Sequence, residues 1–260
     1  MRVNYNSRHF IARLALSFII LLAVMHITGI AASGLPYILN ATITSGIVVS
    51  TLLLLVKWRE GHSFKDTATG IGLGRTSFEG LLPGIYLSGA LLAMYPGMGY
   101  ILNMELLPAD DWLPNLCGTF LTGGITEEVL FRGFLFGRLR QRFDFRKAAL
   151  VSTGLFALAH LLLFTYLEWP IALFSTILAI ACSVPLAYLY EKSCNTIWSS
   201  ALVHTIIRTI GLVVTTSSQD YQRLAMWWII GSVFIPYVVL AFYKDFRELW
   251  RRPSIPEKNQ

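Results

Sequence analysis

Glu127, Glu128 and Arg132 interrupt an otherwise apolar run, Gly123-Gly124-Ile125-Thr126-Glu127-Glu128-Val129-Leu130-Phe131-Arg132-Gly133. An ionised side chain inside an apolar span costs roughly 2.5–3.5 kcal/mol on insertion scales, so it needs partners or a task. Glu128 and Arg132 are spaced i,i+4 and can pair along one helix face. Glu127 is turned about 100° away and is left to face a different neighbour. Two later apolar runs carry Phe156 with His160 and His204 with Arg208, again at i,i+4. A carboxylate beside an imidazole can position and deprotonate a water molecule. A second imidazole, presented as a donor, can stabilise the oxyanion of a peptide carbonyl. Together these groups are equipped to hydrolyse an amide. There is no HExxH, but Glu, His and His are ligands that zinc accepts, so metal-bound and metal-free water both stay open.

Each residue also has a plainer reading. A lone His on an apolar helix is usually a hydrogen-bonded packing residue, and His26 is read that way. Glu128 with Arg132 alone reads as a helix-stabilising ion pair. Glu127, His160 and His204 together favour function, because intramembrane ionisable groups are functional by default. Cys117, Cys182 and Cys194 show no CxxC or zinc-finger spacing and read as small packing residues. Trp58, Trp112, Trp169, Trp198, Trp227 and Trp228 sit near the ends of apolar runs and read as interface belts. Gly70-Ile71-Gly72-Leu73-Gly74 lacks the strand and the Lys-Ser/Thr of a phosphate loop and reads as a flexible turn.

The elements that must position these groups are membrane spans. Of the 260 residues 55% are hydrophobic and 14% charged, and mean hydropathy is +0.58. A soluble domain carries roughly 25% charge. Eight runs approach the roughly 20 residues a bilayer crossing needs, near 11–32, 37–57, 79–101, 113–137, 147–167, 169–190, 195–216 and 225–243. The expected fold is all-α: a polytopic membrane protein with a multi-helix core. Its divisions would be 1–112 (first three spans), 113–216 (site-bearing core) and 217–260 (last span and tail, with 253–260 a disordered end). The first run follows Arg2, Arg8 and Arg13 but exceeds the h-region of a signal peptide, which favours a retained helix.

Placing both termini and alternate loops in the cytoplasm puts 18 of the 21 Lys and Arg there, leaving Arg223 outside and Arg132 and Arg208 within spans, as the positive-inside bias demands. The net charge of +6 is therefore topological and does not imply nucleic acid. The juxtamembrane arginines Arg138 to Arg142 and Arg247 to Arg252 also suit lipid headgroups. With this topology Glu127 and Glu128, His160, and His204 lie about ten, thirteen and nine residues from the cytoplasmic side, a common depth of roughly 13–20 Å.

The pattern Glu127-Glu128-xxx-Arg132, then Phe156-xxx-His160, then His204 resembles the three motifs of the CPBP intramembrane proteases, also called the type II CAAX prenyl endopeptidase or Abi family. The likeness covers roughly 113–215 within the eight-span frame. It implies a conical helical core around an intramembrane site and an endopeptidase acting on membrane-associated peptides. By the resemblance Glu127 would act with His160 on the attacking water, His204 would contribute to the oxyanion hole, and Glu128, Arg132 and Phe156 would hold the site. Eukaryotic relatives trim prenylated CAAX proteins, and bacterial ones are linked to peptide processing, bacteriocin immunity and envelope regulation. The third motif of the family is His-xxx-Asn or His-xxx-Asp, whereas this chain has Arg208. Arg208 can donate to an oxyanion, or pair with Glu127 and silence it, which would make the chain a regulator or immunity protein. A proton-coupled transporter using the same groups is a third reading. It is disfavoured because no internal repeat or pair of broken helices is visible.

Overall fold

Several of the helices start at a residue that satisfies or spares the first N–H groups. In the computed structural model, which describes residues 7–251 except 218, Ser77 Oγ accepts from Gly80 N–H at 3.1 Å and Asp144 from Lys147 N–H at 2.8 Å. Pro36 precedes one helix and Pro170 opens another, where a missing N–H is harmless. The elements are α1 (Ser7–Ala31), α2 (Tyr37–Glu60), α3 (Phe64–Ala68), α4 (Phe78–Leu92), α5 (Met94–Leu102), α6 (Trp112–Thr119), α7 (Gly137–Arg140), α8 (Phe145–His160), α9 (Trp169–Lys192), α10 (Trp198–Ile207), α11 (Tyr221–Leu240) and α12 (Lys244–Arg251). Between α6 and α7 the chain stays helical but winds as two π-helical stretches, Phe120–Glu127 and Val129–Phe136. The two-residue strands β1 (Leu107–Pro108) and β2 (Val214–Thr215) pair antiparallel. The 253–260 tail, Arg2 and the side chains of Arg8 and Arg251 lie outside the described residues.

Six helical stretches among the described residues are long and apolar enough to cross a membrane, and their outward faces carry exposed Leu, Ile and Phe. This is an integral membrane protein of all-α class. Two expected spans are not among them: 113–137, where α6 runs into the two π-helical stretches, and 195–216. The helix of the latter, α10, has ten residues and reaches about 15 Å, half of the roughly 30 Å hydrocarbon core. A helix ending at that depth must satisfy its last carbonyls internally. Trp228 Nε1–H donates to Ile207 O at 2.8 Å, Thr209 Oγ1–H donates to Ile206 O at 2.7 Å, and Tyr95 OH bonds Thr209 Oγ1 at 2.8 Å. Trp228 is therefore buried at 0% exposure, not an interface residue, and stacks on Tyr95 at 4.2 Å. Trp198 is likewise drawn inward and donates to Gly74 O at 2.7 Å. Trp58, at 81% exposure, fits the belt reading.

Prolines inside α9 and α11 set how these two helices pack. A proline lacks the N–H that would bond the carbonyl four residues back. Pro185 frees Ala181 O, which accepts from Tyr237 OH of α11 at 2.7 Å. Pro236 frees Ser232 O, which accepts from Cys182 Sγ of α9 at 3.4 Å. Each helix repairs the break in the other. Cys182 is thus a buried donor rather than apolar filler.

The 70–74 turn is packed, not flexible. Ile71 is fully buried, Gly72 takes φ 87°, and Gly72 O accepts from Ile197 N–H at 3.0 Å. A Cβ on Gly133 would overlap the Ile71 carbonyl, so this π-helical wall accepts only glycine there. Gly154, by contrast, has open space where a Cβ would sit.

Candidate active site

Two consecutive carboxylates flank one imidazole, and one of them holds it. Glu128 is fully buried, and its Oε1 accepts from Arg132 Nη1–H at 2.9 Å and from His204 Nδ1–H at 2.7 Å. Glu127 Oε2 stands 3.7 Å from Nε2 of the same ring, and Glu127 Oε1 accepts from Arg208 Nη1–H. On an ideal α-helix the two carboxylates diverge by about 100°. Here they sit where one π-helical stretch ends and the next begins, and the i→i+5 winding characteristic of functional π-bulges widens that part of the helix.

Close approach of α10 makes the contact possible. A Cβ on Gly124 would meet Thr205 Oγ1 at 2.6 Å and Ala201 O at 3.2 Å, and one on Gly123 would meet Arg208 Cδ at 2.8 Å. The first glycine admits the α10 backbone and the second makes room for the Arg208 stem. From the other side Ser45 Oγ–H of α2 donates to Leu121 O at 2.9 Å, and Thr126 Oγ1–H donates to Ser45 Oγ at 2.7 Å, which fixes the helix just before Glu127.

Phe156 is the spacer. Its ring covers the Arg132 guanidinium at 4.7 Å and meets His160 edge-on at 4.5 Å. His160 Nδ1 lies 3.0 Å from Phe156 O. A carbonyl oxygen can only accept, so Nδ1 carries the proton and the neutral ring keeps its lone pair on Nε2. The same reasoning applies to His204, whose Nδ1–H is held by Glu128. Its Nε2 is an acceptor when the ring is neutral and a donor only as imidazolium.

Glu127, His160, His204 and Arg208 line a cavity of about 320 Å³. Of the seven expected site residues, Glu127, Phe156, His160, His204 and Arg208 line this cavity, Glu128 is one hydrogen bond behind His204, and Arg132 is one further behind Glu128. Among the described residues, no group of three His, Cys, Asp or Glu is arranged to hold a metal ion. Sequence reasoning missed the contribution of α1. His26, read as packing, lines the same cavity with Tyr166, their rings 5.9 Å apart. Counting from Arg13, His26 lies about thirteen residues in, the depth already assigned to His160. That depth was the signal available for it.

Residues 109–210 match the family described as type II CAAX prenyl endopeptidase Rce1-like. This segment is similar to that family. A curated relative, the "Putative membrane peptidase YdiL" of Bacillus subtilis (strain 168), is 27% identical over 124 residues, 44% of this chain and 44% of that protein. The match therefore spans less than half the length of that relative. No solved structure matches the chain. The matched segment contains Glu127, Glu128, Arg132, Phe156, His160, His204 and Arg208. The cavity is closed from outside that segment by Leu22, Met25 and His26 of α1.

Proposed function

We propose that this protein is an intramembrane endopeptidase that hydrolyses membrane-associated peptides. The observation that carries this reading is the Glu127 carboxylate, set between Arg208 and His204 Nε2 on the wall of a cavity shared with His160. In this reading Glu127 and the His160 Nε2 lone pair orient and deprotonate water. The developing oxyanion is met by Arg208 N–H groups and by His204 once its ring is doubly protonated. Arg208 takes the place of the family's Asn or Asp because a guanidinium offers five N–H groups, of which Glu127 uses one. Zinc chemistry at these side chains is a separate question, answered by activity before and after chelation. The test is cleavage of a lipid-tethered peptide by protein reconstituted in vesicles. Wild type should cleave, and Glu127→Ala and His160→Ala should lose about 10²–10⁴ in rate. Equal rates in all three would sink the proposal.

One observation favours a second reading. The ion pair between Glu127 and Arg208 occupies the base, as expected of a regulator that binds peptides without turning them over. In that case Glu127→Ala and His160→Ala would complement a deletion strain as well as wild type does.

Both termini are proposed to face the cytoplasm. Support comes from the basic end of the molecule, where Arg138 pairs with Glu60, Arg140 with Glu191 and Lys192 with Asp245. A reporter fused after residue 260 should be active in the cytoplasm and silent in the periplasmic format. The reverse would invert the topology.

A further inference from the structure

A second cavity, of about 470 Å³, opens at the basic end between α1, α2 and the C-terminal end of the π-helical wall. Three guanidiniums line it, Arg13 of α1, Arg59 of α2 and Arg138 of α7, which continues the π-helical wall, against one carboxylate, Glu60. Arginine keeps its charge at any physiological pH, so the groove is cationic. Its floor is apolar, formed by Phe10, Leu14, Leu55 and Phe134, and Trp58 stands exposed at the rim.

The polar groups are only partly satisfied by one another. Arg138 Nη1 and Nη2 both bond Glu60, at 2.8 and 3.0 Å, but Arg138 Nε is buried with no hydrogen-bond partner among the protein atoms. Arg59 Nη1 donates to Ser17 Oγ and, at 3.4 Å, to Arg13 O. Arg142 lies over the Phe10 ring at 4.8 Å and adds a fourth cation beside the mouth. A buried N–H left unpaired costs about 1–3 kcal/mol, and guanidinium forks match phosphate oxygens. A cationic rim over an apolar floor at the end of a membrane helix bundle fits an amphiphile with an anionic head.

We propose that this groove binds the phosphate-bearing headgroup of an anionic phospholipid, with its glycerol and first acyl carbons on Phe10, Leu14 and Leu55. Arg59 and Arg138 hold the phosphate, and Trp58 lies beside the headgroup in the manner of interfacial tryptophans. The site is separate from the Glu127 cavity and does not depend on peptide hydrolysis.

The test uses the full chain purified in neutral detergent, with native mass spectrometry to count retained lipid. Phosphatidylglycerol, phosphatidylcholine and inorganic phosphate are added in separate arms. Wild type should retain one phosphatidylglycerol at least tenfold more tightly than phosphatidylcholine, and millimolar inorganic phosphate should not displace it. Each juxtamembrane arginine contributes about fivefold to anionic-lipid affinity. Arg59→Gln should therefore weaken retention about fivefold, and Arg59→Gln with Arg138→Gln about 25-fold, whereas Arg223→Gln leaves it unchanged. Arg59 is exposed and its single variant is expected to fold even if loss of Arg138 is not tolerated. Equal retention by wild type and Arg59→Gln, equal retention of the two lipids, or displacement by inorganic phosphate would each overturn the assignment.

Discussion

At the scale of single residues, Arg208 decides how the site is read. Its guanidinium is about a third exposed to the cavity while one N–H is held by Glu127. If its free N–H groups meet an oxyanion, then Arg208→Ala should lower cleavage about 10²–10³-fold, the usual cost of an oxyanion donor. Asn keeps two side-chain N–H groups, so Arg208→Asn should stay within about tenfold of wild type. The measurement is kcat on the tethered peptide. A silent wild type that gains activity as Arg208→Asn would instead establish the silenced-base reading. The pairing of Glu128 with Arg132 was legible in the sequence because i,i+4 spacing settles it. The convergence of both carboxylates on one His204 ring was not, because it depends on π winding and on the approach of α10 at Gly123 and Gly124. Those two glycines were visible as small residues, but what each makes room for is a property of the folded pair.

At the scale of elements, local devices carry the architecture. The exchange between α9 and α11 predicts that Tyr237→Phe, which leaves Ala181 O without a donor, destabilises the protein by about 0.6–2 kcal/mol, the range of interhelical hydrogen bonds in membranes. Thermal unfolding in detergent measures it, with Tyr86→Phe, whose hydroxyl makes none of the described hydrogen bonds, as the control. At the Gly133 contact with Ile71, Gly133→Ala should cost about 1–3 kcal/mol through forced backbone movement. Gly154→Ala, in open space, should be neutral or stabilising. A third device joins α12 to α9. Asp245 accepts from Tyr188 OH at 2.9 Å and from Lys192 Nζ at 2.5 Å, and Phe246 packs on the Tyr188 ring at 5.0 Å. Burial raises the Asp245 carboxyl, but hydrogen bonds from Lys192 and Tyr188 outweigh it and hold the group below its usual value. A depressed acid stabilises fully above its unfolded value, about 3.9, and loses that contribution as pH falls through the folded value. Amide exchange in α12 should therefore accelerate below about pH 4 in wild type. In Asp245→Asn it should be fast at neutral pH and insensitive to acid.

At the scale of the whole molecule, the apolar runs showed where chain crosses but not which chain closes the site. Hydropathy placed six of the eight expected segments, because long apolar helices announce themselves by length. It read 113–137 as one regular span where α6 runs into two π-helical stretches, and it overextended 195–216, because a short helix continued by other chain has the same composition as a full span. The sequence favoured α1 as a retained helix but gave it no part in the site, since the site motifs lie elsewhere. The fold gives α1 a different standing. Phe18 is buried and meets Phe131 edge-on at 5.3 Å, Leu21 is fully buried, and Leu22, Met25 and His26 form one wall of the Glu127 cavity. Phe131 in turn packs on Phe156 at 4.3 Å, the ring that covers Arg132 and abuts His160. Deleting 1–32 should thus do more than remove an anchor: it uncovers Phe131 and opens the cavity to lipid on one side. The expected outcome is a chain that still inserts, because the remaining runs carry their own hydropathy, but that unfolds at lower temperature and has lost cleavage. His26→Ala separates wall from chemistry. If His26 only lines the cavity, it should change KM for the peptide more than kcat. If deletion of 1–32 left both melting temperature and cleavage at wild-type values, α1 would be a free-standing anchor and the cavity would need no wall from it.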